Sequence, residues 1–181
     1  MASLLRIVDG TSVTFWRTAG ISGLASRLLS RADASSLLLL GTGNLSTYII
    51  RASGECSATQ AGYRMGRSPD KAEQVIHTMA KELPEISFNV ASDLQSACEQ
   101  ADIVVSATGS HEPLVCGDWI RPGTHTDFIG NHHATKRECD TALVRKSKVY
   151  ADSFDNCFRE AGRFWSRSPN KRSTDLTLSA N

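Results

Sequence analysis

The chain has no apolar run approaching the roughly 20 residues needed to cross a bilayer. Its opening, MASLLRIVDG, lacks the apolar core and small-residue cleavage site of a secretory leader. No surplus of charge exists in either direction. The formal net charge is +1 at pH 7, so no overall field draws the chain toward nucleic acid or a membrane surface. No CxxC pair occurs. The five cysteines, Cys56, Cys98, Cys116, Cys139 and Cys157, are odd in number and widely spaced. That argues against a disulfide framework and a structural zinc site. No internal repeat is evident. The resulting expectation is a cytoplasmic protein with reduced thiols and with neither a nucleic-acid nor a membrane partner.

What is present is an ordinary globular composition, 40% hydrophobic and 22% charged over 181 residues. That suffices for one well-packed domain, or one domain and a fragment of another. Residues 17–31, RTAGISGLASRLLSR, set Ile21, Leu24, Ala25, Leu28 and Leu29 on one helical stripe. Leu37–Leu40 is a short continuous apolar run, the mark of a strand buried on both faces. NLSTYIIRAS follows as a helix. GRSPDKAEQVIHTMAKEL predicts another, with Ser68 as N-cap and Pro69 at the first helical position. Residues 86–90, 101–108, 124–130 and 148–152 are strand candidates. A helix capped by Ser92 or Asp93 lies between the first two, and one around Glu138–Lys146 between the last two. Strand and helix alternate, which predicts an α/β fold, a doubly wound parallel sheet with helices on both faces. The polar, Ser-rich segment 165–181 is set apart as a disordered tail.

The leucine run stops at GTGNLS. In a Rossmann unit the first glycine permits the tight turn and the second lets the backbone approach a diphosphate. The third allows close helix–strand packing, and the diphosphate rests on the helix N-terminus. Gly41 and Gly43 fill the first two places and Ser46 stands at the third, with Thr42, Asn44 and Leu45 completing the turn. A plain strand–helix turn fits the same residues. The βαβ context favours the dinucleotide reading. About 20 residues further on, NAD enzymes carry an acid for the ribose hydroxyls. Between Cys56 and Pro69 there is none. Arg67 and Ser68, with Lys71 nearby, suit a 2′-phosphate instead, which favours NADP(H) over NAD(H). The alternative is a solvated arginine beside a simple cap. The segment SATQAGYRM before it is a poor strand. At the end of the 101–108 strand, Ala107, Thr108 and Gly109 are small enough to line the crevice where dinucleotides lie.

Taken together, RTAG (17–20), GTGNLS (41–46), GRSPDKAE (66–73), ADIVVSATGSHEPLV (101–115), GDWIRPGTHTDFIGNHHATKRECD (117–140) and VYADSFDNCFREAG (149–162) resemble the ornithine cyclodeaminase/mu-crystallin family. The resemblance implies a six-stranded Rossmann domain beside a β-rich domain that dimerises and holds substrate. On that frame residues 1–16 are a remnant of the β-rich domain, 17–164 the NAD(P)-binding domain with its leading helix, and 165–181 the tail. The implied activity is NAD(P)H-dependent reduction at a C=N or C–N bond of a small, cyclic imino or amino acid, of ketimine reductase type. Ornithine cyclodeamination and a non-enzymatic, NADPH-binding mu-crystallin-like module are the alternatives.

The resemblance also assigns roles. Arg17 matches the arginine that grips the substrate carboxylate, and a guanidinium fork suits that task. His132 stands where the cyclodeaminase branch carries an aspartate. A histidine can move a proton near neutral pH but does not hold an ammonium ion as a carboxylate does, which tilts the reading toward ketimine reduction. His132 and His133 are adjacent, point different ways and have no third ligand in register, so no metal is expected. The family's longer N-terminal segment, with a further substrate lysine and arginine, has no counterpart here. The isolated chain is therefore expected to be a weak enzyme or none. A homodimer is the family's assembly.

Overall fold

The computed structural model describes residues 8–56, 61–65, 68–130, 133, 136–151 and 153; for 55, 56 and 61–65 it describes the backbone alone. The leucine run forms β1 (Ser36–Leu40), and Leu37 through Leu40 are all buried. The strand's alternation splits them. Leu37 and Leu39 face one hydrophobic cluster, while Leu38 and Leu40 face a second on the other side of the sheet. Each such burial contributes about 1.5–3 kcal/mol relative to exposure, so β1 is the spine of the fold.

Four further strands extend it: β2 (Ala61–Met65), β3 (Phe88–Val90), β4 (Ile103–Ser106) and β5 (His125–Phe128). The sheet order is β3-β2-β1-β4-β5, and every neighbouring pair is parallel. Strand order therefore reverses between β1 and β4, the switch point of a doubly wound sheet. The weak segment before Arg67 does form β2, paired in parallel with β1 on one side and β3 on the other. The expected strand over 148–152 does not appear among its described residues. There Lys148 and Tyr150 are exposed, and no ladder holds 148–151 to the edge of β5. Five strands, not six, are thus found among the described residues.

The helices are α1 (Gly10–Leu29), α2 (Leu45–Cys56), α3 (Pro69–Glu82), α4 (Leu94–Gln100) and α5 (Thr141–Lys146). Asp93 rather than Ser92 caps α4, accepting from Ser96 N at 2.7 Å. Ser68 is the N-cap position of α3 and Pro69 its first residue. No helix is long and apolar enough to cross a membrane among the described residues.

Helix α1 departs most from expectation. It begins at Gly10, where Asp9 caps it by accepting from Thr11 N and Ser12 N. The expected apolar stripe does not face the core: Ile21, Leu24 and Leu28 are 50%, 50% and 70% exposed. The buried residues are Ala19, Ser22, Gly23 and Ser26. The physical reason is close approach. A Cβ at Gly23 would lie 2.8 Å from the Ala52 carbonyl oxygen of α2, so only the small-residue face can seat against α2. Residues 10–16 are the first turns of this helix; residues 1–7 and 154–181, with the tail, lie outside the described residues.

At the amino ends of β1 and β4, Asp102 accepts from the Ser35 and Ser36 amides, the Ser36 hydroxyl and Arg31. Burial pushes its carboxyl up, but those donors outweigh burial and hold it at about 2. This network fixes the end of the sheet opposite the candidate site.

Candidate dinucleotide site at the β1–β4 crevice

The turn after β1 does what its glycines require. Gly41 adopts φ +129°, and a Cβ there would lie 2.5 Å from the Ala107 carbonyl oxygen. Its backbone conformation is one that side-chain-bearing residues rarely adopt. Gly43 differs: nothing lies within 4 Å of where its Cβ would stand. The space above it is open, directly before α2. The first amides of a helix have no partner inside it, and its N-terminus attracts anions. Ser46, in the place of the third glycine, is buried; its hydroxyl donates to the Gly41 carbonyl at 2.9 Å and its amide to the Gly43 carbonyl at 3.0 Å. The serine thus ties the turn to the helix from inside.

The opposite wall is the end of β4. Ala107 N donates to Leu40 O at 2.8 Å, so the two strands stay paired up to the crevice. Ala107 and Thr108 are half-buried and Gly109 is exposed with open space at its Cβ position. Thr42 is half-buried, and Gly43 and Asn44 are exposed, while Leu45 begins α2 and packs against the core. Thr42, Gly43, Ala107, Thr108 and Gly109 are therefore brought to one end of the sheet, at its switch point.

The remaining expected residues fall as follows. Ser68 is half-buried at the start of α3, and its hydroxyl makes no capping bond. Lys71 is exposed on the first turn of the same helix. Both follow the carboxyl end of β2, beside β1, on the side of the glycine turn. Arg67 and His132 lie outside the described residues. Arg17 is exposed on α1. Its neighbours Phe15 and Trp16 pack against Tyr48 of α2, the first tilted and the second edge-on, with ring centroids 5.2 and 5.1 Å away. That puts Arg17 on the half of α1 nearest the start of α2. Among the described residues no three His, Cys, Asp or Glu side chains cluster as a metal site would require.

The sequence marks Glu138 as the start of a helix, but α5 begins at Thr141 behind its cap Asp140, and Glu138 turns inward before it. It is 2% exposed. Its Oε1 accepts from Ser106 Oγ at 2.6 Å, Thr108 N at 2.8 Å and Thr108 Oγ1 at 2.9 Å; its Oε2 accepts from Gly130 N at 2.9 Å. As a site residue its only sequence signal is the acid in the KRECD motif, and its partners are 8 to 32 residues away. Gly130 ends the expected 124–130 strand, whereas β5 stops at Phe128 and Gly130 lies in the loop beyond it. A Cβ there would come within 2.1 Å of Thr108 N, so the β4 and β5 loops touch backbone to backbone.

A family model described as ornithine cyclodeaminase/mu-crystallin family matches residues 2–176. The chain is 40% identical over 158 residues to a Delta(1)-pyrroline-2-carboxylate reductase of Colwellia psychrerythraea, covering 87% of this chain and 50% of that protein. It is 29% identical over 160 residues to the ketimine reductase mu-crystallin of Mus musculus, covering 88% and 50%. The structure of Thermococcus litoralis Delta(1)-pyrroline-2-carboxylate reductase in complex with NADH and L-proline superposes with a TM-score of 0.79 at 32% identity, covering 84% of this chain and 47% of that one. The chain thus spans about half the length of the relatives it matches.

Proposed function

Because the chain belongs to the ornithine cyclodeaminase/mu-crystallin family, we propose that it binds NAD(P)H across the β1–β4 crevice and serves the reduction of a small cyclic imino acid, as a ketimine reductase does. The observation that carries this reading is the contrast between two glycines. Gly41 is pressed against Ala107 by its fold, whereas Gly43 opens onto free space at the start of α2. A methyl group at Gly43 would fill the place a diphosphate takes in such a cradle. The bound dinucleotide supplies hydride to the carbon of the C=N bond.

The chain's own residues would do the rest. Amides of Thr42 to Leu45 receive the diphosphate. Arg67, Ser68 and Lys71 receive the adenosine ribose and its 2′-phosphate, which makes NADP(H) the preferred cofactor. Ala107, Thr108 and Gly109 keep the crevice wall low enough for the nicotinamide half. Arg17 pairs with the substrate carboxylate, and its exposure leaves the guanidinium free to do so. His132 delivers the proton. The exposed apolar side of α1, Val13, Trp16, Ile21, Leu24 and Leu28, supports a homodimer built on that surface.

The test is a turnover assay with pyrroline-2-carboxylate and NADPH, run beside an equilibrium titration with the same cofactor. Turnover abolished by Arg17→Ala supports the reductase. Tight cofactor binding without turnover makes the chain a dinucleotide-binding module. Ammonia release from ornithine would replace the reductase with a cyclodeaminase.

A further inference from the structure

We infer that Glu138 is a positioning residue: from beneath the crevice it locks the β4 and β5 loops at the spacing that receives the nicotinamide end of the dinucleotide. This rests on the dinucleotide reading above. Three loops meet at the switch point, and each meeting is backbone against backbone. The Gly41 turn is pressed on Ala107, and Gly130 is pressed on Thr108. Ala107 and Thr108 are consecutive, so the β4 loop is clamped on both sides. Glycines permit these contacts without holding them in place. What holds them is the Glu138 carboxylate, which joins Ser106 and Thr108 of one loop to Gly130 of the other. Its own carbonyl also accepts from Leu114 N at 2.9 Å and Val115 N at 3.0 Å, so the clamp is anchored to the segment that follows the β4 loop.

The division of labour along the cofactor follows from the two halves of the sheet. The glycine turn and the β1–β3 half serve the adenosine diphosphate end, and the half that starts at β4 serves the other nucleotide. The turn has its own internal tie, Ser46 to Gly41, which does not pass through Glu138. Glu138 therefore governs the nicotinamide end and leaves the adenosine end alone. A glutamine is nearly isosteric but has one acceptor oxygen. With that oxygen kept on its three donors, the amide nitrogen faces the Gly130 N–H, donor against donor. The substitution thus severs the link between the two loops selectively.

The experiment titrates wild type and Glu138→Gln with NADPH, with NADH and with ADP-ribose, which keeps the adenosine and diphosphate but has no nicotinamide. The variant should bind the intact dinucleotides about tenfold more weakly, as expected for one lost buried hydrogen bond with its donor stranded, with ADP-ribose affinity unchanged. Ser106→Ala, which removes one donor to the same carboxylate, should show the same split at about threefold, and it carries the test by the same criteria if Glu138→Gln does not fold. A variant that loses affinity for all three ligands equally, or for none, overturns the role. A wild type that binds none of them overturns the dinucleotide reading and this role together.

Discussion

Replacing each of two glycines in one turn by alanine should separate stability from binding. At Gly41 the backbone sits at φ +129°, and a new Cβ would come within 2.5 Å of the Ala107 carbonyl oxygen. The conformation costs a residue with a Cβ about 1–2 kcal/mol. Relieving the overlap requires the turn or the β4 loop to move, at about 1–3 kcal/mol. Gly41→Ala should therefore lose about 2–5 kcal/mol, or about 4–20 °C in Tm for a chain of this size. At Gly43 nothing lies within 4 Å and φ is not positive, so Gly43→Ala should leave stability within about 0.5 kcal/mol. Its methyl group instead occupies the diphosphate's place, and NADPH affinity should fall about tenfold or more. Differential scanning calorimetry reads the first effect and a fluorescence titration the second. A Gly41→Ala protein as stable as wild type would refute the strain argument. A Gly43→Ala protein that binds NADPH unchanged would refute the cradle.

The α1–α2 contact should respond to Gly23→Ala, whose Cβ would meet the Ala52 carbonyl oxygen at 2.8 Å, with a loss of about 1–3 kcal/mol in denaturant melts. Leu24→Ser, on the exposed apolar side of α1 assigned to the homodimer, should weaken self-association in sedimentation while changing the melt of the separated protomer by no more than about 0.5 kcal/mol. Asp102 is held at about 2 in the folded chain against its ordinary 3.8. Its ionised form therefore adds about 2 kcal/mol above pH 4, lost as pH falls from about 4 to about 2; Asp102→Asn should lower stability at pH 7, and its gap from wild type should narrow across that acid range in pH-resolved melts. Arg67→Ala should weaken NADPH binding more than NADH binding, and equal changes in both titrations would remove the 2′-phosphate argument.

How much of this was legible in the sequence depends on the range of the contacts. The β1 strand was plain because a continuous leucine run between turn residues needs burial on both faces, and it has it. The start of α3 at Ser68 and Pro69 was plain from local residues, although the Ser68 hydroxyl makes no capping bond, and the α4 cap was narrowed to Ser92 or Asp93, of which Asp93 makes the bond. Strand β2 was faint because its composition marks it weakly, and its parallel pairing with β1 and β3 shows only in the fold. The buried side of α1 was read backwards. Counting large apolar residues chose Ile21, Leu24 and Leu28, whereas the contact selects for what is small enough to let two helices close, namely Ala19, Ser22, Gly23 and Ser26. Within the candidate site, the glycine turn announced itself by local chemistry. Glu138 and Gly130 did not, because their significance lies in partners that only the β4–β5 pairing brings together.

The central claim is that the turn after β1 is a cradle for a dinucleotide. Titrating the full chain with NADPH and with NADH, read by quenching of tryptophan emission, tests it most directly. The account predicts one saturable site for NADPH, with weaker binding of NADH. A chain that stays folded through the titration and shows no saturable response to either cofactor would contradict it.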